Sequence, residues 1–252
     1  MGNATSRVAS TRSEGRETTL IISAPENVQI QIPRNRLDEN GMPIQPVSRT
    51  VDRGVLLAAL DHVSAYIAQR HQHVSINTTG GAVSTLHLGS RSTTHDVDVF
   101  GSDFHNDARI LVDDAMWDAQ NHVAGLGTEW LNTEIQLWMP GPLHAELTVA
   151  AREQNTTVYD GPGLTIFAAP WEYAFSGKIS RILTGGDQIR PYDLSDAVCY
   201  IHQYIRATNN QPVSMATALG WAEHYGHHTN EDFLRTLVNT EYRRQYGAGA
   251  FV

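Results

Sequence analysis

Apolar residues recur at helical spacing between 51 and 70, where Val51, Val55, Leu56, Ala59, Leu60, Val63 and Ile67 share one stripe. The run Val74-Ser75-Ile76-Asn77 predicts a short strand, broken by Gly80-Gly81 and followed by a short helical stretch over 82–88 that ends at Gly89-Ser90. Asp96-Val97-Asp98-Val99-Phe100 alternates polar and apolar with period two, as a strand buried on one face does. An amphipathic helix is predicted over 105–122, with Ile110, Leu111, Ala115 and Met116 apolar. Further strands are expected at 134–139, 145–150 and 164–168. Pro170 suits a first helical turn, and beyond it helices are expected over 170–184, 191–207, 213–225 and 230–245.

The pattern predicts an α+β fold, with a small mixed sheet and helices followed by a C-terminal helical bundle. Three segments follow: a disordered tail over 1–24, an α/β core over 25–168 and a helical region over 169–252. A single compact unit, with those helices covering one face of the sheet, is an equal alternative. The tail is rich in Ser, Thr, Arg and Glu. It opens Met-Gly-Asn-Ala-Thr-Ser, which fits an N-myristoylation pattern at Gly2. One acyl chain anchors only weakly and reversibly. Pro25, Pro33, Pro43 and Pro46 make 25–49 an extended lead-in, with a short strand at 27–32.

Composition narrows the setting. The 252 residues are 41% hydrophobic and 18% charged, with a formal net charge of −9, an ordinary globular balance. The acidic balance argues against a coat of nucleic acid, which works by neutralising many phosphates. No apolar run nears the roughly 20 residues of a membrane-spanning helix. The start carries no apolar leader segment. Cys199 alone excludes a disulfide framework and a Cys-rich zinc site. A reducing, intracellular, cytoplasmic location is therefore expected, and the sequons at Asn3, Asn77 and Asn155 are read as chance matches. Lys178 is the only lysine among 18 basic residues, which marks a position where a compact ammonium is wanted.

The chemistry concentrates between residues 80 and 98. A strand entering a glycine pair that opens a helix lets backbone N–H groups approach an anion. The next strand carries Asp96 and Asp98 at i and i+2, on one face, with Val97 and Val99 on the other. Two carboxylates on one face repel each other unless a cation lies between them. Hard oxygen donors at that spacing suit Mg²⁺ or Mn²⁺ together with substrate phosphates.

This stretch resembles the nucleotidyltransferase fold of the DNA polymerase β superfamily, and most closely the bacterial abortive-infection and toxin–antitoxin nucleotidyltransferase-like proteins. The likeness rests on Gly80-Gly81, Gly89, the Arg91/Thr93/Thr94 cluster and Asp96-Val97-Asp98. It extends through Trp130-Leu131-Asn132, the Pro170…Glu172…Lys178 helix, and Arg190-Pro191-Tyr192-Asp193-Leu194-Ser195-Asp196. The resemblance implies that Asp96 and Asp98 ligate the metal and that Gly80 and Gly81 contact the β/γ-phosphates. Ser90 or Arg91 would pair with a phosphate oxygen, and Lys178 would face the triphosphate. A third carboxylate would come from Glu146 or Glu134. The implied reaction transfers an NMP from an NTP to a hydroxyl on a protein, RNA or small molecule. The alternative is a catalytically inactive, antitoxin-like binding protein of the same fold.

Other groups have plainer readings. His224, His227 and His228 lack the further ligands of a zinc site, and His95 adjoins the aspartates. Asp193 and Asp196 fall at a helix start, where carboxylates cap free N–H groups. Gly185-Gly186 reads as a helix stop.

Overall fold

The computed structural model describes residues 21–23, 29–31, 42, 45, 47–102, 106–133, 135–136 and 139–252. They belong to two units, Met1–Pro46 and Val47–Val252. In the first, β1 (Ile21–Ser23) pairs antiparallel with β2 (Gln29–Gln31), which lies inside the strand expected at 27–32. Gly2 and its myristoylation pattern lie outside the described residues.

The second unit opens with β3 (Val51–Asp52) and α1 (Arg53–Ala68). Asp52 starts the helix by accepting the Val55 N–H at 2.9 Å, and Leu56, Ala59, Leu60, Val63 and Ile67 form its buried stripe. β4 (Val74–Thr79), α2 (Gly81–Leu86), β5 (Thr93–Thr94) and β6 (Val97–Phe100) follow. Next come α3 (Asn106–His122), β7 (Leu131–Asn132), α4 (Gly141–Gln154), β8 (Thr157–Asp160) and β9 (Leu164–Ala168). The chain ends in α5 (Trp171–Thr184), α6 (Asp193–Ala207), α7 (Met215–Tyr225), α8 (Glu231–Phe233), a π-helical turn at Leu234–Val238, and α9 (Asn239–Tyr246).

The sheet runs β7-β6-β4-β9-β8. β4 is antiparallel to β6 and parallel to β9, so the sheet is mixed. β3 and β5 form a separate antiparallel pair. The fold is thus α+β with a small mixed sheet and helices. Alternation along β6 sorts its side chains by face. Val97 and Val99 join the main core with residues of α1 and α3, whereas Phe100 joins a smaller cluster with Met139, Leu147 and Ala169. The main core also takes in Phe175, Ile179, Tyr200, Ile201 and Leu234, so it continues into the C-terminal helices. Among the described residues, no helix is long and apolar enough to cross a membrane.

One expected strand is helical, and the described residues 135–136 of another form a 3₁₀ turn. Residues 145–150 lie inside α4, where Pro142 sits in the first turn. Leu143, Leu147 and Ala151 repeat every four residues on its inner side, and that helical spacing overrides the short local alternation. Ile135 and Gln136, from the expected strand at 134–139, lie in a 3₁₀ turn. There the Gln136 amide donates to Val99 O at 3.4 Å and its Oε1 accepts from Arg109 at 2.6 Å. Glu134 lies outside the described residues.

Candidate functional site

Antiparallel pairing sets Thr79 opposite Asp98. The next residues on each strand, Gly80-Gly81 and Asp96-Val97, therefore meet at one end of the sheet. Gly80 takes φ 71° and ψ −138°, a backbone state that side-chain-bearing residues rarely adopt. A Cβ on Gly81 would overlap Thr94 Oγ1. That hydroxyl donates to Asp96 O at 3.1 Å, so β5 pins both the glycine turn and the first aspartate. Val97 is buried between Asp96 and Asp98, which are half-buried, as period two requires. Thr78 Oγ1 donates to Asp98 O at 2.8 Å, fixing the second aspartate's backbone.

Helices α5 and α6 hold this corner from the other side. The Tyr200 hydroxyl donates to Gly80 O at 2.8 Å. Burial pushes that phenol well above its usual range, so it remains a donor. Ser84 Oγ donates to Asp196 Oδ1 at 3.1 Å and lies 3.1 Å from the Tyr200 hydroxyl. Lys178 Nζ reaches Asp193 Oδ1 at 2.7 Å and Asp196 Oδ2 at 3.0 Å, with 8% of its side chain exposed. Arg91 Nη1 lies 3.5 Å from Asp196 Oδ2, and its guanidinium stacks 3.7 Å above the Tyr192 ring. Asp193 Oδ2 also accepts the Arg190 N–H at 2.8 Å. The capping role expected for Asp193 and Asp196 is therefore corrected. Both sit in the first turn of α6, yet their oxygens face Lys178, Ser84 and the Arg190 amide.

The electrostatics of Asp96 show what else converges. Burial raises its pKa, while His95, Arg91, Arg181 and Arg190 pull it down. Burial prevails, so the Asp96 carboxyl lies above the usual carboxylate range although the charges of three arginines act against it. Arg181 is half exposed, 3.9 Å from Asp193 Oδ1. Sequence reasoning did not assign a role to Arg181 or Arg190. The signal was available, since Arg181 follows Lys178 by three residues and so shares its helix face, and Arg190 begins the turn into α6. His95 Nε2 lies 3.3 Å from Thr50 Oγ1.

Several expected participants lie elsewhere or act differently. Glu146 is exposed on α4 and its Oε1 meets His224 Nε2, on α7, at 2.6 Å. Opposite Asp98 on β7 stands Asn132, not a carboxylate. The Ser90 amide and hydroxyl both bond Ser84 O, at 3.0 and 3.4 Å, and close the end of α2. His227 Nδ1 lies 2.8 Å from Ser176 Oγ, apart from any metal-like grouping with His224 and His228.

Residues 48–249 match the family described as Domain of unknown function (DUF7582). No curated protein and no solved structure matches the chain.

Proposed function

Given that this chain belongs to the DUF7582 family, whose description names no activity, we propose from the site itself that it binds a metal–nucleoside triphosphate. In this reading it acts as a nucleotidyltransferase-like protein that passes an NMP to a hydroxyl acceptor. The observation that carries the reading is the register of Thr79 against Asp98, which sets a glycine turn beside an aspartate pair. The donor set fits a hard divalent ion, because two oxygen-only carboxylates flank one buried valine. Asp96 and Asp98 would hold Mg²⁺ or Mn²⁺, which when bound supplies charge neutralisation to the phosphates.

The chain's own residues then divide the work. Gly80 and Gly81 let backbone N–H groups approach a phosphate without a side chain in the way. Arg91, Arg181 and Arg190 carry positive charge beside Asp96 and can make forked contacts with phosphate oxygens. Lys178 is a positioning residue: it neutralises Asp193 and Asp196 and so steadies the α6 side chains that hold Gly80 and Ser84. Such a site works by placing reactants and matching their charge.

Asn132 opposite Asp98 favours a second reading, in which the same site binds a nucleotide without transferring it. Calorimetric titration with Mg-ATP, Mg-GTP, Mg-CTP and Mg-UTP tests both. Saturable binding of at least one is expected, weakened at least about tenfold in the Asp96→Asn, Asp98→Asn double variant. A folded protein that binds none of the four would overturn the proposal. Binding without label transfer from α-labelled nucleotide to any acceptor in a cell extract would leave only the second reading.

A further inference from the structure

Helices α1 and α3 pack side by side, and three metal-type donors converge where they meet. His62 on α1 places Nε2 2.6 Å from Asp118 Oδ2 on α3. His122 follows Asp118 by one helical turn, with Nδ1 3.6 Å from the same carboxylate oxygen. The two imidazoles stack, with centroids 5.0 Å apart and planes 20° apart. A donor atom from each of the three side chains lies within 4.8 Å of the other two.

We propose that His62, Asp118 and His122 form a binding site for a zinc-class divalent ion that clamps α1 to α3. Two imidazoles and one carboxylate are the donors Zn²⁺ takes, with water filling a fourth, tetrahedral position. At ordinary Zn–N and Zn–O lengths, neighbouring donors stand about 3.4 Å apart, against the 2.6 Å that now separates His62 Nε2 from Asp118 Oδ2, and one donor atom of each side chain already lies within 4.8 Å of the others. His122 Nδ1 also lies 2.7 Å from Asp118 O. An outer hydrogen bond of that kind fixes the tautomer of a ligating imidazole and frees its other nitrogen. The three side chains are 29%, 38% and 59% exposed, so they have room to shift by the roughly one ångström that coordination needs. Hard ions such as Mg²⁺ prefer oxygen donors and are disfavoured here. Sequence spacing could not show this site, because His62 lies 56 residues from Asp118.

Titration of the full-length chain with ZnCl₂, read by calorimetry and by thermal unfolding, tests the assignment. The expected result is saturable binding and a higher Tm with Zn²⁺, with no comparable rise from Mg²⁺. Because the chain holds 12 histidines, the reading is the difference between variants. His62→Ala and His122→Ala are each expected to lose at least about tenfold in affinity, and the double variant to lose the Tm rise. Asp118→Asn keeps the shape and should weaken binding at least about tenfold. The Asp96→Asn, Asp98→Asn variant should bind Zn²⁺ as the parent does. A parent that shows no saturable zinc binding would overturn the proposal. So would a His62→Ala, His122→Ala variant, folded by circular dichroism, that binds zinc as tightly as the parent.

Discussion

Lys178 illustrates how one side chain can fix a site from behind. Its ammonium lies between the buried Asp193 and Asp196. Arg91 approaches Asp196 only at 3.5 Å. Removing the ammonium leaves carboxylates in a low-dielectric place with reduced compensation, the costly way to break a buried pair. Lys178→Met is expected to destabilise the fold by about 3–5 kcal/mol, read from the midpoint and slope of urea unfolding. Lys178→Arg should not restore the parent, because a planar guanidinium cannot occupy the point between two carboxylates as an ammonium does. A loss below about 1 kcal/mol, the usual size for an exposed pair, would mean the cluster contributes little to stability.

At the scale of elements, the contact between α5 and α7 is tuned by a histidine just past the end of α7. Gly226 ends that helix with φ 67°, and His227 folds back onto α5. Its ring lies over Gly177, where an added Cβ would stand 3.4 Å from Cε1, and beside Tyr173 and Tyr225. Burial, helped by His228, pushes the ring's pKa from the ordinary 6.5 down to about 4. Between those values the unfolded chain holds a proton that the folded chain refuses. The stabilising contribution is therefore full above about pH 6.5 and is lost as pH falls toward about 4. His227→Gln is expected to lose less stability than the parent between pH 7 and pH 4.5 in paired urea titrations. An equal loss in both would assign the acid sensitivity to other groups. The same α5–α7 region receives Glu146 from α4 through His224. A carboxylate read as part of a strand thus serves a helix contact, because the Leu143, Leu147, Ala151 spacing makes its segment helical.

Across the whole of Val47–Val252, one apolar cluster links Leu56 and Ile76 to Phe175, Tyr200, Leu234 and Phe251. Val213 N donates to Ala250 O at 2.8 Å and Val252 N to Val213 O at 3.0 Å, which ties the end of the chain to the start of α7. Elements that share a core unfold together. The slowest-exchanging amides of β4, at Ile76 and Asn77, are expected to report the same opening free energy as those of α6, at Tyr200 and Ile201. A gap of more than about 1 kcal/mol in native-state hydrogen exchange, a large part of a domain's stability, would show the helical region opening alone.

Long periodic segments were legible in the sequence. The stripe of α1, the alternation of β6, the glycine pair and the run of C-terminal helices follow from nearest-neighbour rules of backbone geometry, so residue order alone determined them. Strands of two residues, such as β3, β5 and β7, carry too few positions for a period to show. They exist because a partner strand supplies their hydrogen bonds. Partnership is likewise what the tertiary structure decided. It placed Asn132 opposite Asp98, set Lys178 between two carboxylates, brought Arg181 and Arg190 toward Asp96, and set His62 against Asp118 and His122. Electrostatic and ligand geometry depend on distance through space, and chain separations such as the 56 residues from His62 to Asp118 hold no record of it.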